Sequence, residues 1–333
     1  MKTELKQNYT VGLLGVRGYV GRAIVKLINH HPQLSLQWIS SRQLKGLCLS
    51  TLEPEHPPLT IDCFSPTDLK NNPCDILILA LPNGLANNYV NHVRHLNYKL
   101  VIDLSADYRF NDEWQYLVPE INGEKFVSQK SQGKTIKISN PGCYATAMQL
   151  ALAPILPLIE SRPGCFGVSG YSGAGTTPCA TNNQKNLENN IIPYQLINHF
   201  HEKEVSFHLD TPISFTPHVA DFFSGISMTV QLELAQSVPY HTLLSLYQNY
   251  YSDSELVKIQ KEAATIQQVV NTHCAVIGGF SLAQDNKRLH LNCVLDNLLK
   301  GAASQAIQNI NLALGLSPTL GLSTETNSFK LTA

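Results

Sequence analysis

The segment Gly12-Leu-Leu-Gly15-Val-Arg-Gly18-Tyr-Val-Gly21 places glycine at every third position, where an apolar run gives way to helical periodicity. Glycine at such a junction lets backbone amides approach a pyrophosphate at a helix N-terminus, where unpaired N–H groups and the positive end of the dipole favour an anion. The same glycines would also suit a tight turn with close helix–sheet packing. Around them the chain reads as a strand over Tyr9 to Leu14, a helix from about Tyr19 to Asn29 with apolar residues at Val20, Ile24, Leu27 and Ile28, and a second strand over Leu36 to Ser40. The result is a βαβ unit. Two further runs, Ile76 to Leu81 and Leu100 to Leu104, carry no alternation and suit strands buried on both faces of a parallel sheet. The first half is therefore expected to be a doubly wound α/β domain that binds a dinucleotide. After the second strand, where an NAD-selective site would carry an acid on the ribose hydroxyls, stand Ser40-Ser41-Arg42. Hydroxyls and a guanidinium would accept a 2′-phosphate, so the expected cofactor is NADP, with Ser41, Arg42 and Arg17 as contacts. The bland reading of Arg42 is a solvated surface arginine.

A length of 333 residues with 43% apolar content supports two domains. A net charge of −1 and a charged fraction of 15% supply no field for a phosphate backbone or an anionic membrane, which argues against nucleic-acid and membrane partners. The N-terminal MKTELKQNYT lacks a signal-peptide core, and no apolar run approaches the ~20 residues of a membrane span, so the expected address is cytoplasmic. Eight cysteines are scattered without a CxxC pair or a His/Cys ligand cluster, which argues against a bound metal and a disulfide framework. After Ser139 the texture changes to Gly-, Ser- and Pro-rich loops and alternating strands such as Ile226 to Leu234, with further strand-like runs at Ala275 to Leu282 and Leu289 to Leu295. An α+β domain on a mostly antiparallel sheet is expected there. A last helix over roughly Leu298 to Leu314, with Ala302, Ala306, Ile310 and Ala313 on one stripe, is expected to pack back on the first domain. The expected division is 1–142 with 299–333 for the cofactor domain, and 143–298 for a catalytic and oligomerisation domain.

Among the cysteines, Cys143 has a distinctive setting in Ile136-Lys-Ile-Ser-Asn140-Pro-Gly-Cys143-Tyr-Ala-Thr146. Pro141 disfavours helix at Asn140 and Gly142 permits a sharp turn, so Cys143 is expected at the first turn of the next helix. There the helix dipole and unpaired amides lower a thiol's pKa and can stabilise an oxyanion. Such a nucleophile needs a proton donor and acceptor. His30, His31, His92 and His95 fall in or after helices of the cofactor half, and His199, His201 and His208 lie in a polar stretch that reads as solvent-exposed. His218 follows a strand-breaking proline in Ser214-Phe-Thr-Pro217-His218 and is the expected catalytic partner.

With these blocks the chain resembles the N-acetyl-gamma-glutamyl-phosphate reductases, relatives of aspartate-semialdehyde and glyceraldehyde-3-phosphate dehydrogenases. The resemblance is carried by Gly15-Val-Arg-Gly-Tyr-Val-Gly21, Asp103-Leu-Ser-Ala-Asp-Tyr-Arg-Phe110, Tyr116-Leu-Val-Pro-Glu120, Asn140-Pro-Gly-Cys-Tyr-Ala-Thr-Ala147, Ser169-Gly-Tyr-Ser-Gly-Ala-Gly175, Phe215-Thr-Pro-His218 and Asp296-Asn-Leu-Leu-Lys-Gly-Ala-Ala-Ser-Gln-Ala306. It implies an oxidoreductase of arginine biosynthesis in which NADPH reduces an acyl phosphate through a cysteine thioester, with Cys143 and His218 catalytic. It implies cofactor contacts from Gly15, Gly18, Tyr19, Val20, Gly21, Asn83, Ser172, Gly173 and Asn297, substrate contacts from Arg109, Glu120, Asn140 and Ser172, and a homo-oligomer, dimer or tetramer. Two roles stay open: Asn297 could instead cap the last helix, and Arg109 could pair with Asp107.

The chain also departs from the pattern, carrying Thr176 and Ser224 where the family usually carries arginine. Two charge-assisted hydrogen bonds near a doubly anionic substrate are each worth on the order of 1.5 to 3 kcal/mol. Either Lys185 or Arg109 replaces them or the substrate is another acyl phosphate, such as a carrier-linked aminoadipyl phosphate. A non-catalytic NADP-binding regulator is the alternative of a different class.

Overall fold

The computed structural model describes residues 8–93, 96–129 and 134–328; His95 lies outside them. The chain runs β1 Tyr9–Leu14, α1 Tyr19–His30, β2 Leu34–Ser40, β3 Ile61–Asp62, β4 Ile76–Leu79, α2 Ala86–Val93, β5 Leu100–Asp103, β6 Gln115–Tyr116, α3 Pro119–Gln129 and β7 Ile136–Ser139. It continues through α4 Cys143–Leu152, β8 Gly164–Gly170, α5 Gln184–Leu187, β9 Ile191–Pro193, α6 Phe200–His208, β10 Ser214–Ala220, β11 Ile226–Glu233, α7 Tyr240–Tyr250, β12 Val257–Ile259, β13 Ala275–Leu282, β14 Arg288–Leu295 and α8 Ser304–Leu314. Two compact units result, Met1–Pro141 with Ala303–Leu322 and Gly142–Ala302 with Ser323–Ala333. Among the described residues no helix is long and apolar enough to cross a membrane.

The first unit holds a sheet in the order β3-β2-β1-β4-β5-β7-β6, parallel throughout. β4 and β5 are buried at every position, which is why their sequences run apolar without alternation. The opening glycines divide the two roles between them. A Cβ on Gly12 would lie 2.2 Å from the Trp38 ring, so this glycine serves packing. Gly15 has φ +99 and a Cβ there would lie 2.0 Å from the Ala80 carbonyl oxygen, so only glycine makes this turn. Helix α8 returns to this unit as the sequence predicts: Gln308 donates to Glu120, Asn309 to the Leu117 carbonyl and Asn140, and Asn311 Oδ1 lies 3.0 Å from His31 Nε2. The last helix differs from the expected continuous run because a π-turn, Leu299–Ala303, precedes α8. Asp296 Oδ1 accepts from the Leu298 and Leu299 amides, and the Gly301 amide reaches five residues back to the Asp296 carbonyl, opening the first turn wider than an α-turn.

The second unit holds a sheet in the order β12-β13-β14-β11-β8-β10-β9. β8 pairs with β10 and β12 with β13 in parallel, and the other pairings are antiparallel, so the sheet is mixed with antiparallel ladders dominant. Helix α4 is buried from Tyr144 to Leu152 against one face, and the Tyr247 and Tyr251 hydroxyls donate to its Ala151 and Leu150 carbonyls. Near the C-terminus Asn327 donates to the Gln267 and Val270 carbonyls of this unit.

Candidate active site

Cys143 is the first residue of α4, with Gly142 as N-cap at φ −75 and ψ 157. The N-cap glycine has no side chain with which to cap this end and no acid occupies the first turn, so the positive end of the helix dipole lies at Cys143. The Gly142 amide is held by Glu204, whose Oε1 accepts it at 2.9 Å from a fully buried position. Cys143 is half-buried, as a nucleophile requires. Burial pushes the Cys74, Cys165 and Cys293 thiols up to about 12, which makes them inert at neutral pH. Cys48, lowered by the Ser50 hydroxyl, precedes only a single 3-10 turn, Leu49–Thr51.

The histidines that gather beside this helix start were read from sequence as exposed. His199 is the N-cap of α6, its Nδ1 accepting from the His201 amide at 3.1 Å, and it is buried. The Tyr144 ring, next in chain to Cys143, lies 6.4 Å from the His199 ring and 5.9 Å from the His201 ring, with 5.0 Å between the two imidazoles. Glu204 joins the arrangement, its Oε2 3.9 Å from His201 Nε2 while its other oxygen holds Gly142. Burial lowers the His199 pKa to about 4, so this ring is neutral at pH 7. With Nδ1 accepting, its proton sits on Nε2. The signal available in the sequence was the spacing His199, His201, Glu204: the first at a cap, the others three apart on one helical face.

His218 is not part of this cluster. Phe215, Pro217 and Val219 are alternate buried positions of β10, which ends on buried Ala220, and the Phe215 ring packs on Tyr144 at 4.9 Å and His199 at 5.1 Å. Alternation along the strand sends the His218 imidazole to the opposite face, 4.4 Å from the ring of Phe166, which is 44% exposed. Only the His218 carbonyl meets the α4 side, accepting the Tyr144 hydroxyl at 2.6 Å. Pro217 does not break the strand either. Its carbonyl accepts the Tyr194 amide on the β9 side, so its missing N–H falls at a three-residue edge strand rather than in the β8 ladder.

Several expected substrate and cofactor contacts are engaged within the protein. Arg109 is buried, donating through Nε to the Asn140 carbonyl and through Nη2 to the Leu104 carbonyl, and Asp107 instead accepts the Gly84 and Ala86 amides at the start of α2. Asn140 and Glu120 accept from Asn309 and Gln308 of α8, and Asn83 accepts the Ala106 amide. Asn297 donates to Ser172 at 3.0 Å and accepts the Gly225 amide at 2.7 Å, so it fastens the Ser172–Gly173 loop, while Asp296 caps the following turn. Ser224 also donates to Asp296, whereas Lys185 is exposed on α5. In the first unit, Gly18 caps α1 in extended conformation with no side-chain cap and no first-turn acid, leaving Tyr19, Val20 and Gly21 at an open helix start. Arg17 is half-buried in the turn, Ser41 is buried, and Arg42 is exposed beyond β2.

A parallel sheet with a glycine turn, followed by a mixed sheet with a cysteine at a helix start, defines the semialdehyde dehydrogenase class. Residues 10–136 match the family model "Semialdehyde dehydrogenase, NAD binding domain", and residues 143–297 match "Semialdehyde dehydrogenase, dimerisation domain". Aspartate semialdehyde dehydrogenase II of Vibrio cholerae, complexed with ASA, superposes with a TM-score of 0.74 at 16% identity over 93% of this chain and 99% of that one. The Candida albicans enzyme with NADP gives 0.72 at 15% identity over 93% and 99%. Within the class, N-acetyl-gamma-glutamyl-phosphate reductase of Xanthomonas euvesicatoria is 46% identical over 92% of this chain and 96% of its own length. The Xylella fastidiosa reductase is 44% identical over 92% and 93%. The chain belongs to the N-acetyl-gamma-glutamyl-phosphate reductase family, a family of oxidoreductases.

Proposed function

We propose that this chain reduces N-acetyl-gamma-glutamyl phosphate to the semialdehyde with release of phosphate, in the arginine pathway, through a thioester on Cys143. The observation that carries the reading is the buried Glu204 carboxylate, which ties the residue before Cys143 to a pair of histidines at one helix start. The first unit fits NADP as its cofactor: Gly15 and Gly18 open the turn to a pyrophosphate, the Tyr19 to Gly21 amides head α1, and Ser41 with Arg42 offers hydroxyl and cation where an acid would repel a 2′-phosphate. Bound NADPH supplies a hydride to the thioester carbon.

The protein's own groups account for the remaining chemistry. Cys143 Sγ attacks the acyl carbon as the bond from that carbon to the phosphate oxygen breaks, leaving a thioester and free phosphate. The first-turn amides of α4 stabilise the oxyanion. His201, oriented by Glu204, takes the thiol proton and returns it to the departing Cys143 sulfur as the thiohemiacetal alkoxide collapses to the aldehyde. His199 remains neutral and holds the start of α6 in place. These roles replace the one expected of His218. The match of residues 143–297 to a dimerisation domain supports assembly as a homo-oligomer. Eight free cysteines, three of them pushed to high pKa by burial, suit a reducing cytoplasm.

The test is the reverse reaction: N-acetylglutamate semialdehyde with phosphate should reduce NADP, with no rate when phosphate is omitted. A phosphate-dependent rate only with a different semialdehyde would select the other acyl-phosphate reading, which the residues Thr176 and Ser224 favour. Cofactor binding with no aldehyde turnover would select the regulator.

A further inference from the structure

The π-turn Leu299–Ala303 carries Gly301, and a Cβ built on it would lie 2.7 Å from Cys143 Cβ, 3.2 Å from Cys143 Cα and 3.2 Å from Leu295 Cδ1. Real Cβ contacts do not approach 2.7 Å, and the obstacle is the root of the nucleophile rather than the far end of a flexible chain. Neither side of the contact can retreat. On one side, Tyr144 to Leu152 are buried and the Gly142 amide is bonded to Glu204. On the other, Lys300 is fully buried, and the Asp296 carboxylate takes the Leu298 and Leu299 amides through Oδ1 and the Ser224 hydroxyl and Asn271 amide through Oδ2. The Gly301 amide is itself bonded to the Asp296 carbonyl at 2.9 Å.

We propose that Gly301 is a positioning residue for the nucleophile: its bare Cα lets the π-turn seat against Cα and Cβ of Cys143 and closes that side to the sulfur. The atoms nearest the added Cβ are Cβ and Cα of Cys143 and Cδ1 of Leu295, so the turn meets the root of the cysteine side chain. A cysteine has three staggered χ1 wells, and seating one flank leaves fewer of them open. Ser224 enters the same device from behind, because its hydroxyl fixes the carboxylate that anchors the turn. The inference rests on Cys143 being the nucleophile, as proposed above.

Gly301→Ala is expected to lower kcat by on the order of 10²-fold while changing KM by less than about threefold, since the reacting sulfur is displaced and the substrate contacts are not. It is also expected to shift the pH midpoint of Cys143 alkylation by iodoacetamide, measured in the full chain without substrate. A side chain that merely supported the fold would leave that midpoint in place. Should Gly301→Ala melt early, the thermal midpoint supplies a second readout: adding Cys143→Gly removes the opposing Cβ, so the double variant should recover to the midpoint of Cys143→Gly alone. Wild-type kcat and alkylation in Gly301→Ala overturns the proposal, as does an additive loss of thermal midpoint in the double variant. If iodoacetamide fails to label Cys143 selectively in the unaltered protein, the thioester reading falls instead, and the thermal comparison still decides the packing.

Discussion

At the glycine turn of the first unit, the groups available to an anion are backbone amides, and the side chains nearby matter mainly by being small or absent: Gly15 at φ +99, Gly18 as a bare cap, no acid in the first turn of α1. At the start of α4 in the second unit the backbone makes a similar bare cap at Gly142, yet the proposed chemistry depends on side chains drawn from α4 and α6 and held by Glu204. In the proposed function the same local device, a helix start after an extended glycine, serves binding in one place and reaction in the other. What converts it is the thiol and the imidazoles that long-range packing adds. The first site should therefore tolerate changes in nearby side chains and fail when a Cβ is added to the turn, and the second should fail when its thiol or imidazole is removed.

The largest expected effect is at the nucleophile. Cys143→Ala should lower turnover by on the order of 10⁵ or more, because the thioester has no substitute acceptor. Retention of NADP binding by the same variant, measured by fluorescence titration, would show that the two sites fail separately. Residual steady-state activity within tenfold of wild type would end the thioester account.

Next comes the choice between histidines. His201→Asn is expected to lower kcat by on the order of 10² to 10⁴, while His218→Asn, on the far face of β10, changes it by less than about tenfold. The reverse ranking would restore the reading made from sequence. That reading shows which parts of the molecule a sequence discloses. Both boundaries of β1 were visible, as was the burial of β4 and β5, because residues close in chain decide them. Cys143 was visible for the same reason, its turn being encoded by Asn140-Pro-Gly142. The histidine proposed here was not, since the proposal depends on which face of β10 meets α4, and a strand with Phe215, Pro217 and Val219 inward discloses that only once the packing is known. The polar stretch around His199 and His201 misled for a related reason: a buried charged network has the composition of a surface. For Arg109 and Asn297 a structural role was open in the sequence but its partners were not legible, because the carbonyls, amide and hydroxyl they bond lie between 5 and 125 residues away.

A third expectation probes the turn itself. In Gly15→Ala a Cβ would meet the Ala80 carbonyl oxygen at 2.0 Å in a backbone region that L-residues avoid, so native stability should fall by on the order of 3 kcal/mol and cofactor affinity with it. Arg42→Ala, by contrast, leaves the backbone alone and should cost only cofactor choice: the NADP over NAD ratio of kcat/KM drops by roughly 10- to 100-fold, the value of one charge-assisted contact. An unchanged ratio would assign Arg42 to solvent.

The smallest effects separate the two units by the sign of their pH dependence. His199, lowered to about 4 by burial, stays neutral in the native state while the unfolded chain protonates near the ordinary value of 6.5. Its contribution is complete above 6.5 and is lost as pH falls from there toward 4, by on the order of 3 kcal/mol in total. Asp103 in the first unit behaves oppositely. Burial raises it to about 6 against an ordinary 3.8, despite bonds from the Ser105 amide and hydroxyl. Its native state binds a proton the unfolded chain has released, so its contribution is present at low pH and fades as pH rises through 6. Chemical denaturation at a series of pH values should therefore show His199→Asn losing less stability than wild type between pH 6.5 and 4, and Asp103→Asn losing less than wild type between pH 4 and 6.5. Difference curves of the same sign for the two variants would mean that one of these groups is not buried in the charge state assigned to it.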